Sequence, residues 1–226
     1  SGEYYLHQFS VRQPDLNWEN PRVQEEVHAM MNRWLDRGIG GFRMDVIDLI
    51  GKEVDKQIMA KGKNLHLLIH QMNRATYGAR DKLTVGETWS ATPEDALLYS
   101  DPERQELSMV FQFEHIKQTW DEKHGKWRSR PFELSRFKAV IDKWQTALAD
   151  RGWNSLFWSN HDLPRAVSKF GDEGEYREAS AKLLATALHC LKGTPYIYQG
   201  EEIGMTNVRW STIEEYRDIE SLNFYR

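Results

Sequence analysis

The stretch GGFRMDVIDL, residues 40–49, sets an arginine and an aspartate two residues apart in a run that otherwise reads as a buried strand. Strand neighbours at i and i+2 point to one side of a sheet. Arg43 and Asp45 are therefore expected on one face, with Phe42, Met44 and Val46 on the other. Burying a charge is costly unless it is paired. The stretch alone leaves two readings open: a structural salt bridge, or a carboxylate held ionised for chemistry. Further carboxylates recur at the ends of other strand-like runs. Glu87 closes LTVGE, and Asp162 follows NSLFWSN with His161 before it. Glu114 with His115 and Glu201 with Glu202 stand in the same place after SMVFQF and TPYIYQG. A pair of carboxylates is the equipment for cutting a glycosidic bond. One ionised group attacks or stabilises the oxocarbenium carbon, and one protonated group gives its proton to the leaving oxygen. In a configuration-retaining reaction the pair stands about 5–5.5 Å apart. On that reading Arg43 lowers the pKa of Asp45, while negative charge from Asp45 and Asp162 raises Glu87 and keeps it protonated.

The elements that must position these residues alternate between helical and strand-like patterns. Asn20 caps a helix with Pro21 at its first position, and Val23, Val27, Met30, Trp34 and Leu35 follow at helical spacing. GGFRMDVI then reads as a strand. Helices are expected through LHLLIHQMNRATYG, near Pro93–Tyr99, over Leu134–Ala149 and over Tyr176–Leu191, each followed by one of the strand-like runs above. Mostly apolar strands separated by helices imply a parallel sheet with both faces covered. An open nucleotide-binding sheet needs its glycines after a strand, yet GIGG at 38–41 precedes one. A barrel is the better fit, because its sites gather at the C-terminal ends of several strands. A full barrel needs eight strands in about 250 residues or more. Five strands here imply the C-terminal part of a TIM (β/α)8 barrel, about strands 4 to 8, from a longer enzyme.

The bulk composition excludes several function classes. At 226 residues, 40% hydrophobic and 28% charged, the chain is that of an ordinary globular protein. A net charge of −4 gives no general attraction to nucleic acid or to an anionic membrane. No apolar run is long enough to span a bilayer, and no secretory signal opens the sequence. Cys190 is the single cysteine; it fits a reducing compartment, hence a cytoplasmic location, and is expected to pack within the apolar run ALHCLKG. Nine Trp, nine Tyr and nine Phe fill a core by default, and also permit stacking on sugar rings.

Taken together, QPDLNW (13–18), GFRMDVI (41–47), VGETW (85–89), WSNHDLPR (158–165) and YQGEEIGM (198–205) resemble glycoside hydrolase family 13, the α-amylase family. The likeness covers essentially the whole chain, and within the family it points to the oligo-1,6-glucosidase and dextran glucosidase group. It implies a retaining double displacement with Asp45 as nucleophile, Glu87 as general acid/base and Asp162 as the carboxylate that holds sugar hydroxyls. Arg43 and His161 become partners of the transferred glucosyl unit. Val46, after the nucleophile, is the residue type of members that favour α-1,6 bonds. Trp89 is expected to stack on the reducing-side glucose, and Lys126 of HGKW to hydrogen-bond it. No metal ligand and no cofactor are expected in this chain; a calcium site would belong to the preceding part of the family's barrel.

The alternatives within the family are a trehalose-6-phosphate hydrolase, for which no basic phosphate pocket is evident, and an α-1,4-glucosidase. Sucrose isomerases are less similar, since they usually replace the Val after the nucleophile. Outside the enzyme class stands a non-catalytic sugar-binding or scaffold module, disfavoured by the intact acid triad. Against the family's pattern, residues 1–226 read as one partial barrel domain. The first strands, the domain inserted after the third and the C-terminal β-domain are missing. The expected partner is an oligosaccharide, and the isolated 226 residues are expected to have little or no activity.

Overall fold

A computed structural model describes residues 2–225. The chain divides into two compact units, residues 1–156 with 192–194, and residues 157–191 with 195–226. In the first unit, helix α1 (Pro21–Asp36) begins as the sequence predicts: the Asn20 side chain accepts the Arg22 N–H at 3.0 Å and Pro21 takes the first turn. Its buried face is rotated from the expected stripe, however. Met31 and Leu35 are buried while Met30 and Trp34 are exposed, so the 27–31–35 row faces the core. The Arg37 guanidinium covers the Trp34 ring, 5.0 Å from its centre.

Strand β1 (Gly41–Met44) follows, then a 3-10 turn at Ile47–Gly51 and helix α2 (Leu65–Ala75). Helix α2 buries Leu65, Leu68, Ile69 and Met72 at the three- and four-residue spacing of one helix face. Strand β2 (Leu83–Glu87) leads to α3 (Pro93–Ser100), whose start is fixed by a reciprocal cap between Thr92 and Asp95. Strand β3 (Met109–Phe111) precedes the short helix α4 (Glu114–Lys117). An antiparallel hairpin, β4 (Trp120–Asp121) with β5 (Gly125–Ser129), comes before α5 (Leu134–Ala147). Strands β6 (Ser155–Leu156) and β7 (Thr194–Pro195) are two residues each.

Strands β1, β2 and β3 form a parallel sheet in that order, with Arg43 opposite Val85 and Glu87 opposite Phe111. Asn154 bridges Val110 in parallel on the far side of β3, and the Thr194 N–H donates to the Asn154 carbonyl at 2.9 Å. Consecutive parallel neighbours with intervening helices are the arrangement of a partial (β/α) barrel. From Thr84 to Glu87, strand β2 is buried throughout, as a strand covered on both faces must be. The core packs α1, α2, α3 and α5 against the sheet through Leu35, Ile69, Tyr99, Val110 and Trp144.

Four of the strand-like runs, 40–47, 108–113, 154–160 and 194–200, are longer than the ladders they form. Phe113 turns out of its run to open α4, and Gly200, at φ 95°, breaks the last run into the 3-10 turn Glu201–Ile203. Gly41 shows why a glycine precedes Phe42. A Cβ there would lie 1.8 Å from the Leu83 carbonyl oxygen of the paired strand. That obstacle is backbone and cannot swing aside. Gly41→Ala is expected to destabilise the protein by about 1–3 kcal/mol or more. Denaturant unfolding checks this, and an unchanged midpoint would contradict the close approach.

The second unit carries helices α6 (Ala166–Phe170), α7 (Arg177–His189) and α8 (Ile219–Tyr225). A cleft of about 280 Å³ lies among Trp158, Val167, Leu184, Leu188 and Met205. Cys190 does not pack as expected. Helix α7 ends at His189, which leaves Cys190 exposed at the cap, its N–H on the Thr186 carbonyl at 3.0 Å. No helix among the described residues is long and apolar enough to cross a membrane.

Candidate active site

Strand β1 ends at Met44, so Asp45 stands just past the ladder. The chain then turns at once, because Val46 lies in the left-handed region at φ 35°, ψ 49°. A β-branched residue avoids that region, so strand alternation stops here and Val46 does not continue the face of Phe42 and Met44. The turn aims the Val46 N–H at Oε2 of Glu87, 3.4 Å away.

Arg43 holds both carboxylates. Its Nη1 pairs with Oδ1 of Asp45, and its Nη2 donates to Oε2 of Glu87 at 2.6 Å. The planar fork of a guanidinium allows both contacts at once. The two acids differ sharply in surroundings: the Asp45 side chain is 74% exposed and that of Glu87 only 3%. Burial pushes the Glu87 carboxyl above its ordinary value of 4.5, a hydrogen bond with Asp45 adds to this, and Arg43 opposes both without prevailing. Neighbouring negative charge, the cause expected from the sequence, contributes through Asp45 but is the smaller effect. Burial is the larger cause, because Glu87 ends a strand covered on both faces.

A hydrogen bond between two carboxyls needs one proton, and the buried group is the one that keeps it. Glu87 therefore donates and Asp45 accepts.

Trp89 also serves the acid. Its indole N–H donates to Oε1 of Glu87 at 2.9 Å, while its ring stacks on Phe113 with centres 3.8 Å apart. Trp120 of the hairpin stacks next, at 6.2 Å. Lys117 donates to the Trp89 carbonyl. Lys126 is exposed on β5, its ammonium 5.1 Å from the centre of the Trp127 ring. Phe113, Trp120 and Lys117 were not singled out in the sequence. SMVFQF reads as strand to its end, and no spacing marks a lysine whose partner is a main-chain carbonyl 28 residues away.

In the second unit His161 and Asp162 are exposed and adjacent, with Nε2 3.3 Å from Oδ2; Asn160 Oδ1 accepts the Asp162 N–H at 2.8 Å. The first unit thus gathers Arg43, Asp45, Val46, Glu87 and Trp89, and the second pairs His161 with Asp162. The remaining strand-end acids hold structure. Glu114 accepts from Trp144 Nε1 at 2.8 Å and from Lys143, tying α4 to α5. Glu201 accepts from the Ser159 hydroxyl, and Glu202 accepts the Gly200 N–H at 2.7 Å.

The family model described as alpha amylase, catalytic domain, matches residues 1–224. The chain belongs to the α-amylase family. Among relatives of this α-amylase-family chain, palatinase of Erwinia rhapontici is 80% identical over 229 residues, covering 100% of this chain and 42% of that protein. Glucan 1,6-alpha-glucosidase of Streptococcus pneumoniae is 58% identical, with 100% and 43% covered. The crystal structure of a point mutant of Bacillus licheniformis trehalose-6-phosphate hydrolase, in complex with PNG, superposes with a TM-score of 0.94 at 46% identity, covering 100% of this chain and 42% of that one. The chain spans a little over two fifths of the length of the curated relatives it matches. Within the α-amylase family, its likeness is to the oligo-1,6-glucosidase and glucan 1,6-alpha-glucosidase group.

Proposed function

We propose that the protein is a retaining α-glucosidase acting on α-1,6-glucosidic bonds at the non-reducing end of short oligosaccharides. The observation that carries this is Arg43 set between an exposed Asp45 and a buried Glu87, whose carboxyl burial pushes above its ordinary value. Asp45 attacks the anomeric carbon and forms a glucosyl ester, while Glu87 passes its proton to the departing oxygen. Glu87, now a carboxylate, then takes a proton from water, which attacks the same carbon and releases glucose with its configuration retained. Asp162 and His161 take the glucosyl hydroxyls, and Lys126 takes the reducing-side sugar. A cytoplasmic location goes with this reading, consistent with a single cysteine.

The likeness to palatinase and to glucan 1,6-alpha-glucosidase supports the α-1,6 linkage. Palatinose is a glucose joined α-1,6 to fructose, so we place it with isomaltose and the isomalto-oligosaccharides of dextran among the substrates. Val46 fits the same preference. The test is to compare kcat/KM on palatinose, isomaltose, maltose and trehalose 6-phosphate. Palatinose and isomaltose are expected to exceed maltose by roughly tenfold or more. A preference for maltose, or for the phosphorylated disaccharide, would replace this reading with the α-1,4-glucosidase or the trehalose-6-phosphate hydrolase.

A further inference from the structure

We infer that Lys117 is a positioning residue for Glu87, acting through Trp89. The inference rests on the glucosidase reading above and adds to it a residue outside the carboxylate pair. Beyond β2 the main chain makes one more sheet contact, from the Thr88 N–H to the Phe111 carbonyl at 3.1 Å. Trp89 lies past that point, so it is held by contacts other than the sheet ladder. Helix α4 supplies two of them. Phe113, at its N-terminal cap, stacks under the indole at 3.8 Å with the planes 12° apart. Lys117, its last residue, donates to the Trp89 carbonyl while its own N–H bonds the Phe113 carbonyl at 3.0 Å. One turn of helix thus grips Trp89 by ring and by backbone, and the gripped residue donates to Oε1 of the acid.

The charged surroundings favour this use of the lysine. Glu114 and Lys61 face Lys117; Asp45 and Arg43 face Glu87. Glu114 is itself engaged by Lys143 and Trp144. The Lys117 ammonium is partly withdrawn from water, and burial pulls its pKa below the ordinary value. A cation held there and directed at a neutral carbonyl bears a desolvation cost, which the charge of Glu114 offsets in part.

The consequence is specific to proton donation. Without the ammonium Trp89 loosens, its indole N–H leaves the carboxylate form of Glu87, and the acid holds its proton to higher pH. In the complete protein, Lys117→Met is expected to lower kcat/KM on isomaltose by roughly tenfold and to move the alkaline limb of its pH profile upward. The kcat/KM on p-nitrophenyl α-glucoside, whose leaving group needs little proton in the first step, is expected to change less than threefold. Lys117→Arg should restore isomaltose turnover to within about threefold of the parent. Trp89→Phe, which keeps an aromatic ring but no donor, should move the limb in the same direction, and the double variant should move no further. An unmoved limb, equal losses on both substrates, or additive effects in the double variant would overturn the role of Lys117. A parent protein that cleaves neither substrate would overturn the glucosidase reading, and this inference with it.

Discussion

Asp45→Asn is expected to lower kcat on p-nitrophenyl α-glucoside by on the order of 10⁴-fold or more, because the amide cannot form the glucosyl ester. Folding should be preserved. The Asp45 side chain is largely exposed, and an asparagine Oδ1 still accepts from Arg43. The measurement pairs steady-state kinetics with a thermal melt of the same preparation. Turnover within tenfold of the parent would remove Asp45 from the nucleophile role and return GFRMD to a structural salt bridge. The same variant separates an enzyme from a sugar-binding module. In a binding module, affinity for isomaltose would be kept and there would be no turnover to lose.

Glu87→Gln is expected to lower kcat/KM on isomaltose by roughly 10²–10⁴-fold. The loss on the nitrophenyl glucoside should be smaller in the first step, since that leaving group departs with little protonation. The pH behaviour follows from the direction of the Glu87 shift. Burial and the Asp45 hydrogen bond raise its pKa, so the protonated acid persists above the ordinary glutamate range. The alkaline limb of the parent should lie above that range, and in the Gln variant it should vanish. Stability follows the same sign. The folded state binds this proton more tightly than the unfolded chain, so the stabilisation is complete below the unfolded value near 4.5 and is lost as pH rises through the raised value. A neutral glutamine removes that dependence. The melting temperature of the Gln variant relative to the parent should therefore climb with pH across this window. A difference that is flat, or that falls with pH, would show that Glu87 is not held protonated by the fold.

Much of the scaffold was legible along the chain. LTVGE at 83–87 forms the strand it spells, and the Asn20–Pro21 start of α1 is a local signal satisfied by local groups. Strand ends were less legible. The runs 40–47, 108–113, 154–160 and 194–200 read as strand beyond the residues that pair, and a ladder stops where its neighbour stops, which a single strand does not encode. The buried face of α1 is only partly legible for a similar reason: Val27 and Leu35 face the core as expected, whereas Met31 is buried where Met30 and Trp34 are exposed. Apolar spacing allowed more than one stripe, and packing against α2 and the sheet selected Met31 and Leu35.

At the site, residue type and spacing by themselves determined that Arg43 and Asp45 pair, that Glu87 closes a buried strand, and that the acids recur after successive strands. These follow from the two-residue spacing and the strand pattern, both local properties, although the Arg43–Asp45 pair proves to be exposed at the strand end and not buried within it. Only the tertiary structure decided which effect makes Glu87 the proton holder. Burial depends on what covers β2 from both sides, and it outweighs the guanidinium in contact with the carboxyl. Tertiary structure also gave Trp89 its second task and Lys117 its partner, because an indole N–H and a main-chain carbonyl carry no mark in sequence of the group they meet.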